Sequence, residues 1–357
     1  MPSTRKLGIQ STNSVSSPVP AVEPSVSSVP SCTKSLSEAD LFPESDLSNV
    51  GNTRPPQHLR HFAGGDIERT YLKYFAAGDL HTYRHGTKVR VEGSTTHPAQ
   101  LELMRDLFGN YAKPIFEPIL TPNGHYAIRA TYDLSPSFEF LLKKLKNMDR
   151  SVLREDALFY TALSGFSDAE GYVGLRRDRG TAYAAYSVSN RKYQLMRDFT
   201  RGLTSREHNA RLYALRGKKV QWQLGVSGRY ALRLLPSIEF RHREKIVARQ
   251  IAMAQHRSPW AIAGPLYAAH RRAIEVERGA LEAIAARRYR LRDDRKRRKS
   301  EIFRQRVEST FDLFARGLGV QEVAKILNCS LRTAYRRKEK FRESRALVGS
   351  HDDSTYP

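Results

Sequence analysis

The chain has 357 residues, 60 of them Lys or Arg against 37 Asp or Glu, so its net charge is +23. A surface that basic draws polyanions, with nucleic acid as the default partner, and the 40% hydrophobic content excludes a wholly disordered chain. Cys32 and Cys329 are too few for a zinc site and lie in unlike segments, and there is neither an apolar run of ~18 residues nor a signal-peptide core, so the expectation is an intracellular protein, not secreted and without a membrane partner.

Residues 1–57 are rich in Ser, Pro, Val and Thr without any period, and are expected to be a disordered tail. From His58 the pattern becomes globular. A helix is expected from Asp66 through Glu68, Tyr71, Leu72 and Phe75, then a strand over Lys88–Glu92 with Val89 and Val91 on one face. Ser94, Thr95 and Thr96 read as the cap of a helix with Pro98 in its first turn and Leu101, Met104, Leu107 and Phe108 at helical spacing. An extended stretch over Tyr126–Tyr132 leads to a helix carrying Phe138, Leu141 and Leu142.

The same order then recurs. A helix over Leu158–Phe166 precedes an extended Tyr183–Val188. Ser189 and Asn190 read as the cap of a helix with Tyr193, Leu195, Met196 and Phe199. A strand over Lys219–Val226 and a helix with Tyr230, Leu232 and Leu235 follow. Leu103-Met104-Arg105-Asp106 returns 92 residues later as Leu195-Met196-Arg197-Asp198, and Phe138 and Leu142 map onto Tyr230 and Leu234 at the same offset. These stations predict two copies of one module, at residues 58–150 and 151–256.

Residues 257–299 are rich in Ala, Arg and Glu and read as one or two exposed helices plus a basic connector. In residues 300–345, Val323, Ala324 and Leu327 give a helical face, a short turn follows, and Ser330 caps a second helix. That is a helix-turn-helix pattern, and Arg332, Thr333, Tyr335 and Arg336 are its candidate DNA contacts. Residues 346–357 read as a tail.

One stretch carries chemistry: Ala162-Leu163-Ser164-Gly165-Phe166-Ser167-Asp168-Ala169-Glu170-Gly171-Tyr172-Val173. Small residues let one helix approach another closely, and the helix then delivers an acid at its end. This stretch resembles the motif of the LAGLIDADG homing endonucleases. The resemblance covers residues 58–254. It implies a metal-dependent DNA endonuclease of mixed α/β (α+β) class, built from two ααββαββα-type modules in pseudo-twofold arrangement plus the small all-α helix-turn-helix unit.

The resemblance puts the metal ligand at Glu170 and makes Asp168 structural. The matching stretch of the first module, Tyr71 to Thr82, is degraded. Asp79 falls on the ligand position after Gly78, but Lys73 and Tyr74 replace the small packing residues, Ala77 replaces the first acid and Leu80 replaces the closing glycine. The implied metal site therefore comprises Asp79 and Glu170 with Gly78 and Ala169 beside them, binding Mg²⁺ or Mn²⁺. Arg241 and Lys245 are candidates for assisting the attacking water. His81, Tyr83, Arg84 and Lys88 in module one, and Arg176, Arg177, Arg179 and Tyr183 in module two, are candidate contacts from strands facing double-stranded DNA. The expected protein is a monomer on an asymmetric site. A non-catalytic DNA-binding regulator, and a maturase acting on intron RNA, are the alternative readings.

Overall fold

The computed structural model describes residues 37–42, 59–215 and 220–349. It is a mixed α+β protein of two like modules and a helical C-terminal unit. In order, the elements are α1 (Glu38–Leu41), α2 (Asp66–Asp79), β1 (His81–His85), β2 (Lys88–Thr95), α3 (Pro98–Phe108), β3 (Ile115–Leu120) and β4 (Tyr126–Leu134), followed by a 3₁₀ turn over Pro136–Leu142. The second module has α4 (Arg150–Arg154), α5 (Asp156–Glu170), β5 (Gly171–Asp178), β6 (Thr181–Asn190), α6 (Tyr193–Ser205), β7 (Arg211–Leu215), β8 (Gln221–Ser227) and α7 (Arg229–Leu234). Then come α8 (Arg243–Ala254), α9 (Trp260–Ala315), α10 (Val320–Ile326) and α11 (Leu331–Gly349).

Each module holds one four-stranded antiparallel sheet, ordered β1-β2-β4-β3 in the first and β5-β6-β8-β7 in the second. One face of each sheet is covered by helices. Val89, Val91, Ile128, Ala130 and Tyr132 are buried there in module one, and Val173, Leu175, Ala184, Tyr186 and Leu224 in module two. Because strand side chains alternate, the register assigns the remaining residues to the opposite faces.

The two halves meet along α2 and α5. A Cβ on Gly165 would lie 2.3 Å from the Tyr71 carbonyl oxygen, and one on Gly78 would lie 2.4 Å from the Ala169 Cβ, so both helices need glycine where their backbones close up. Tyr74, which replaces a small residue of the motif, does not hold them apart. Its ring is fully buried in the core of module two and packs edge-on to Phe199.

Several expected boundaries move. Strand β2 runs to Thr95, so His97 takes the cap position of α3, and the Thr95 hydroxyl accepts from its backbone N–H at 2.9 Å. Strand β6 likewise runs to Asn190, and Lys192 caps α6. The stretch carrying Phe138, Leu141 and Leu142 is a 3₁₀ turn. Lys219, the expected start of a strand, lies outside the described residues, as do most of residues 1–57 and residues 350–357. Part of the expected tail is ordered: Leu41 is buried in the core of module one, and Glu38 pairs with Arg287 and Arg288. The largest change is α9, one continuous helix of 56 residues that crosses the expected boundary at 299. Its alanine and arginine content favours helix without needing a buried face, and ion pairs such as Asp293–Arg297 and Arg304–Glu308 support it at i,i+4 spacing.

Candidate active site and nucleic-acid interface

Helices α2 and α5 end side by side, and each ends on an acid: Asp79 and Glu170. A Cβ on Gly78 would lie 2.9 Å from the Glu170 Cγ, which shows how near the two acids come. Both line one cavity of about 640 Å³, with His97, Gln100, Lys245 and His270. Each acid takes one amide N–H from its own module. Gln100 Nε2 donates to Asp79 at 3.2 Å and Asn190 Nδ2 donates to Glu170 at 2.7 Å.

Crowding by protein, and then the Glu170 charge, push the Asp79 carboxyl up to about 7, against partial relief from Lys245 and His97. Asp79 still reaches solvent through the cavity. Glu170 is also raised, mainly by desolvation, with Asn190 and Lys245 opposing. A buried ammonium answers the pair: Lys245 Nζ donates to the carbonyls of Ser167 at 2.6 Å and Asp168 at 2.7 Å, closing the end of α5. Burial lowers its pKa, while Asp168, Asp79 and Glu170 hold it up. Lys192 closes the end of α2 in the same way, donating to the Ala77 carbonyl at 2.6 Å.

Asp168 is fully buried and is held within the fold. It accepts from the Tyr71 hydroxyl at 2.5 Å and from the backbone N–H of Arg241 and His242 at 2.8 and 3.2 Å. Arg241 itself is turned away from the acid pair. Its guanidinium forms a fork with Glu68 at 2.8 and 3.0 Å and stacks 3.9 Å from the Tyr71 ring centre. Of the two expected cations, only Lys245 lines the cavity. Gly78 and Ala169 mark the helix contact beside the acids. Helix α9, expected only as exposed helix and connector, supplies a wall of the cavity through Tyr267, His270, Arg271 and Arg278.

The candidate strand contacts divide by register. His81, Tyr83 and Lys88 share the face of sheet one opposite the helices, but Arg84 points to the other face and pairs with Glu139 at 2.8 Å. The open face of that sheet is largely self-neutralised. Arg90 forks onto Asp133 at 2.6 and 2.9 Å, the Tyr83 hydroxyl donates to Glu92 at 2.9 Å, and Arg129 faces Glu117. On sheet two, Arg176 and Tyr183 share the open face, Arg177 belongs to the opposite one, and Arg179 sits in the β5–β6 turn at φ 47°. Arg211, Tyr213 and Gln223, which the sequence reading missed, join Arg176 and Tyr183 there.

Three comparisons with known proteins bear on this chain. Residues 304–349 match the family model of the homeodomain-like domain. No curated protein sequence matches the chain. Among solved structures, it is similar to the homing endonuclease I-WcaI bound to its DNA recognition sequence, at 12% identity over 57% of this chain and 97% of that one, with TM-score 0.42. It is also similar to I-DmoI in complex with DNA and Ca, at 16% identity over 48% and 89%, with TM-score 0.34. A third is full-length DUF199/WhiA from Thermatoga maritima, at 12% identity over 79% and 92%, with TM-score 0.35.

The homeodomain-like unit is built from the end of α9 with α10 and α11. Phe314, Val320, Val323, Ala324 and Ala334 form its core, and the Ser330 hydroxyl accepts from the Thr333 N–H at 3.2 Å to cap α11. Arg332, Tyr335 and Arg336 are exposed along one edge of α11, with Tyr335 58% accessible, while Thr333 is half-buried beside the cap. No helix among the described residues is long and apolar enough to cross a membrane.

Proposed function

We propose that the chain is a metal-dependent endonuclease that hydrolyses double-stranded DNA at an asymmetric site. The observation that carries this reading is the acid pair: Asp79 and Glu170, 91 positions apart in sequence, end two central helices side by side in one cavity. A crowded carboxylate whose pKa is raised further by the charge of a second one suits a divalent cation, which would relieve the repulsion. Among the described residues no group of three or more His, Cys, Asp or Glu could hold a metal alone. Two acids with the remaining positions left to phosphate and water is the donor set that Mg²⁺ accepts.

Asp79 and Glu170 would hold the ion, which supplies Lewis acidity at the scissile phosphate and a more acidic bound water. The chain's own groups do the rest. Gln100 and Asn190 fix the carboxylate orientations, and Lys245 offsets charge inside the cavity without occupying either acid. Both acids come from one chain, so a monomer suffices. The two modules differ in their open faces, so the target is asymmetric.

A DNA-binding regulator without cleavage is the second reading, and Lys245 favours it. A buried ammonium beside the pair compensates the acids without any metal. One experiment separates the two. The full chain is incubated with a randomised pool of double-stranded DNA in Mg²⁺ or in EDTA, with a structured RNA pool as a second arm. Nuclease function predicts Mg²⁺-dependent double-strand breaks within one enriched asymmetric DNA sequence. DNA that is bound but never cut in Mg²⁺ supports the regulator, and cleavage or capture of RNA alone removes both readings.

A further inference from the structure

Sheet two carries a cluster that neither the motif nor the acid pair uses. A hollow of about 350 Å³ at one end of its open face is lined by Arg176 of β5, Arg211 and Tyr213 of β7, Arg229 at the start of α7, and by Asn209 and Ser227. All three arginines line the same hollow, all three are exposed, and no Asp or Glu lines it. Arg229 is held in place by the next residue, stacking 4.9 Å from the Tyr230 ring centre and donating to its hydroxyl at 3.0 Å. Like charges gathered in a small hollow repel one another, and an anion between them would relieve that repulsion. Asn209, Tyr213 and Ser227 add neutral hydrogen-bonding groups.

On sheet one, Arg90 is forked onto a carboxylate and Arg129 faces one. The open face of β1 carries His81, Tyr83 and His85 and no arginine, so module one has no match for Arg176. The cluster is thus a property of one half of the molecule. We infer that Arg176, Arg211 and Arg229 form a phosphate-binding site that grips one backbone phosphate of double-stranded DNA and anchors the duplex on module two. Arginine suits this role because its planar fork matches phosphate oxygens in pairs. The inference rests on the DNA-binding part of the reading above and is independent of cleavage.

The test uses the full chain and a DNA ligand selected by binding without divalent metal. Wild type is compared with the triple variant Arg176→Ala, Arg211→Ala, Arg229→Ala. A control triple replaces three exposed arginines off the sheet faces, Arg60→Ala, Arg154→Ala and Arg201→Ala. The cluster variant should bind about tenfold more weakly than the control triple, with a salt dependence shallower by about 0.9 in log–log slope for the one phosphate released. Ethylation of single phosphates should reveal one whose modification weakens wild type but not the cluster variant. Orthophosphate at matched ionic strength should displace DNA no better than chloride. Equal losses in the two triples would overturn the site. So would orthophosphate binding that the cluster variant abolishes while its DNA affinity stays at the control level, since that marks a site for free phosphate. Wild type that binds no DNA would instead remove the underlying reading.

Discussion

Asp79 and Glu170 are two acids that the fold forces together, and their protonation should be visible in stability. The folded pKa of Asp79, about 7, lies above the ordinary carboxylate value of 3.8, so the folded state holds this proton more tightly than the unfolded chain does. Stability from this group is therefore greatest at low pH and declines as pH rises from about 4 through about 7. Asp79→Asn, which keeps the shape and removes the charge, should raise the melting temperature at pH 8 and leave it nearly unchanged at pH 4. An equal shift at both pH values would show that folding does not raise the Asp79 pKa. Metal binding needs both carboxylates ionised, so Mg²⁺-dependent cleavage should climb with pH across the same range. Glu170 was legible from the motif that contains it, and Asp79 because an acid closes a helix 91 positions earlier. Arg241 and Arg84 are held in ion pairs that the sequence did not show. Their partners, Glu68 and Glu139, lie 173 and 55 positions away, and no local pattern reports such a pairing.

At the scale of elements, the glycines of the helix contact and the long α9 decide most of the architecture. Gly165→Ala would place its Cβ 2.3 Å from the Tyr71 carbonyl oxygen, which is backbone and cannot swing aside. The substitution should cost about 1–3 kcal/mol by overpacking, measured by urea unfolding. It should also reduce any cleavage, since the acids at the ends of both helices would separate. A second prediction concerns the short α1. Leu41 is 2% accessible within the core of module one, so Leu41→Ala should cost about 2 kcal/mol. A melting temperature equal to wild type would mean that α1 does not dock in solution. The longer helices of both modules were readable from their apolar spacing, while the short α1 and α4 were not. Nor were strands β1, β3, β5 and β7, although the resemblance put residues of β1 and β5 on strands. Strand β3 is an edge strand containing Pro118, and β7 is exposed along most of its length with little alternation to see. Helix α9 was read as fragments because most of it has no core-facing stripe, and the charges that decorate it look the same on a helix as on a linker.

For the whole molecule, α9 connects the modules to the homeodomain-like unit as a rod. It holds module one through Glu282, which accepts from the Tyr126 N–H at 3.3 Å, and through Arg292 on Glu117. Between Arg292 and its end at Ala315 it runs on for about 35 Å, at about 1.5 Å per residue. A continuous helix fixes both the distance and the rotation between its ends. Two residues inserted between Lys299 and Ser300 would turn the homeodomain-like unit by about 200°, whereas seven would turn it by nearly two full turns. If both parts contact one DNA, the first insertion should remove the C-terminal part of the footprint and the second should retain it. Identical footprints from both insertions would show a loose tether instead. The claim on which the account turns is that Asp79 and Glu170 together perform hydrolysis, and it is tested most directly by cleavage and binding measured side by side on one selected DNA. With Mg²⁺, Asp79→Asn and Glu170→Gln should each abolish double-strand cleavage while binding in metal-free buffer stays within about twofold of wild type. Cutting of both strands by either variant at the parental rate would contradict the claim.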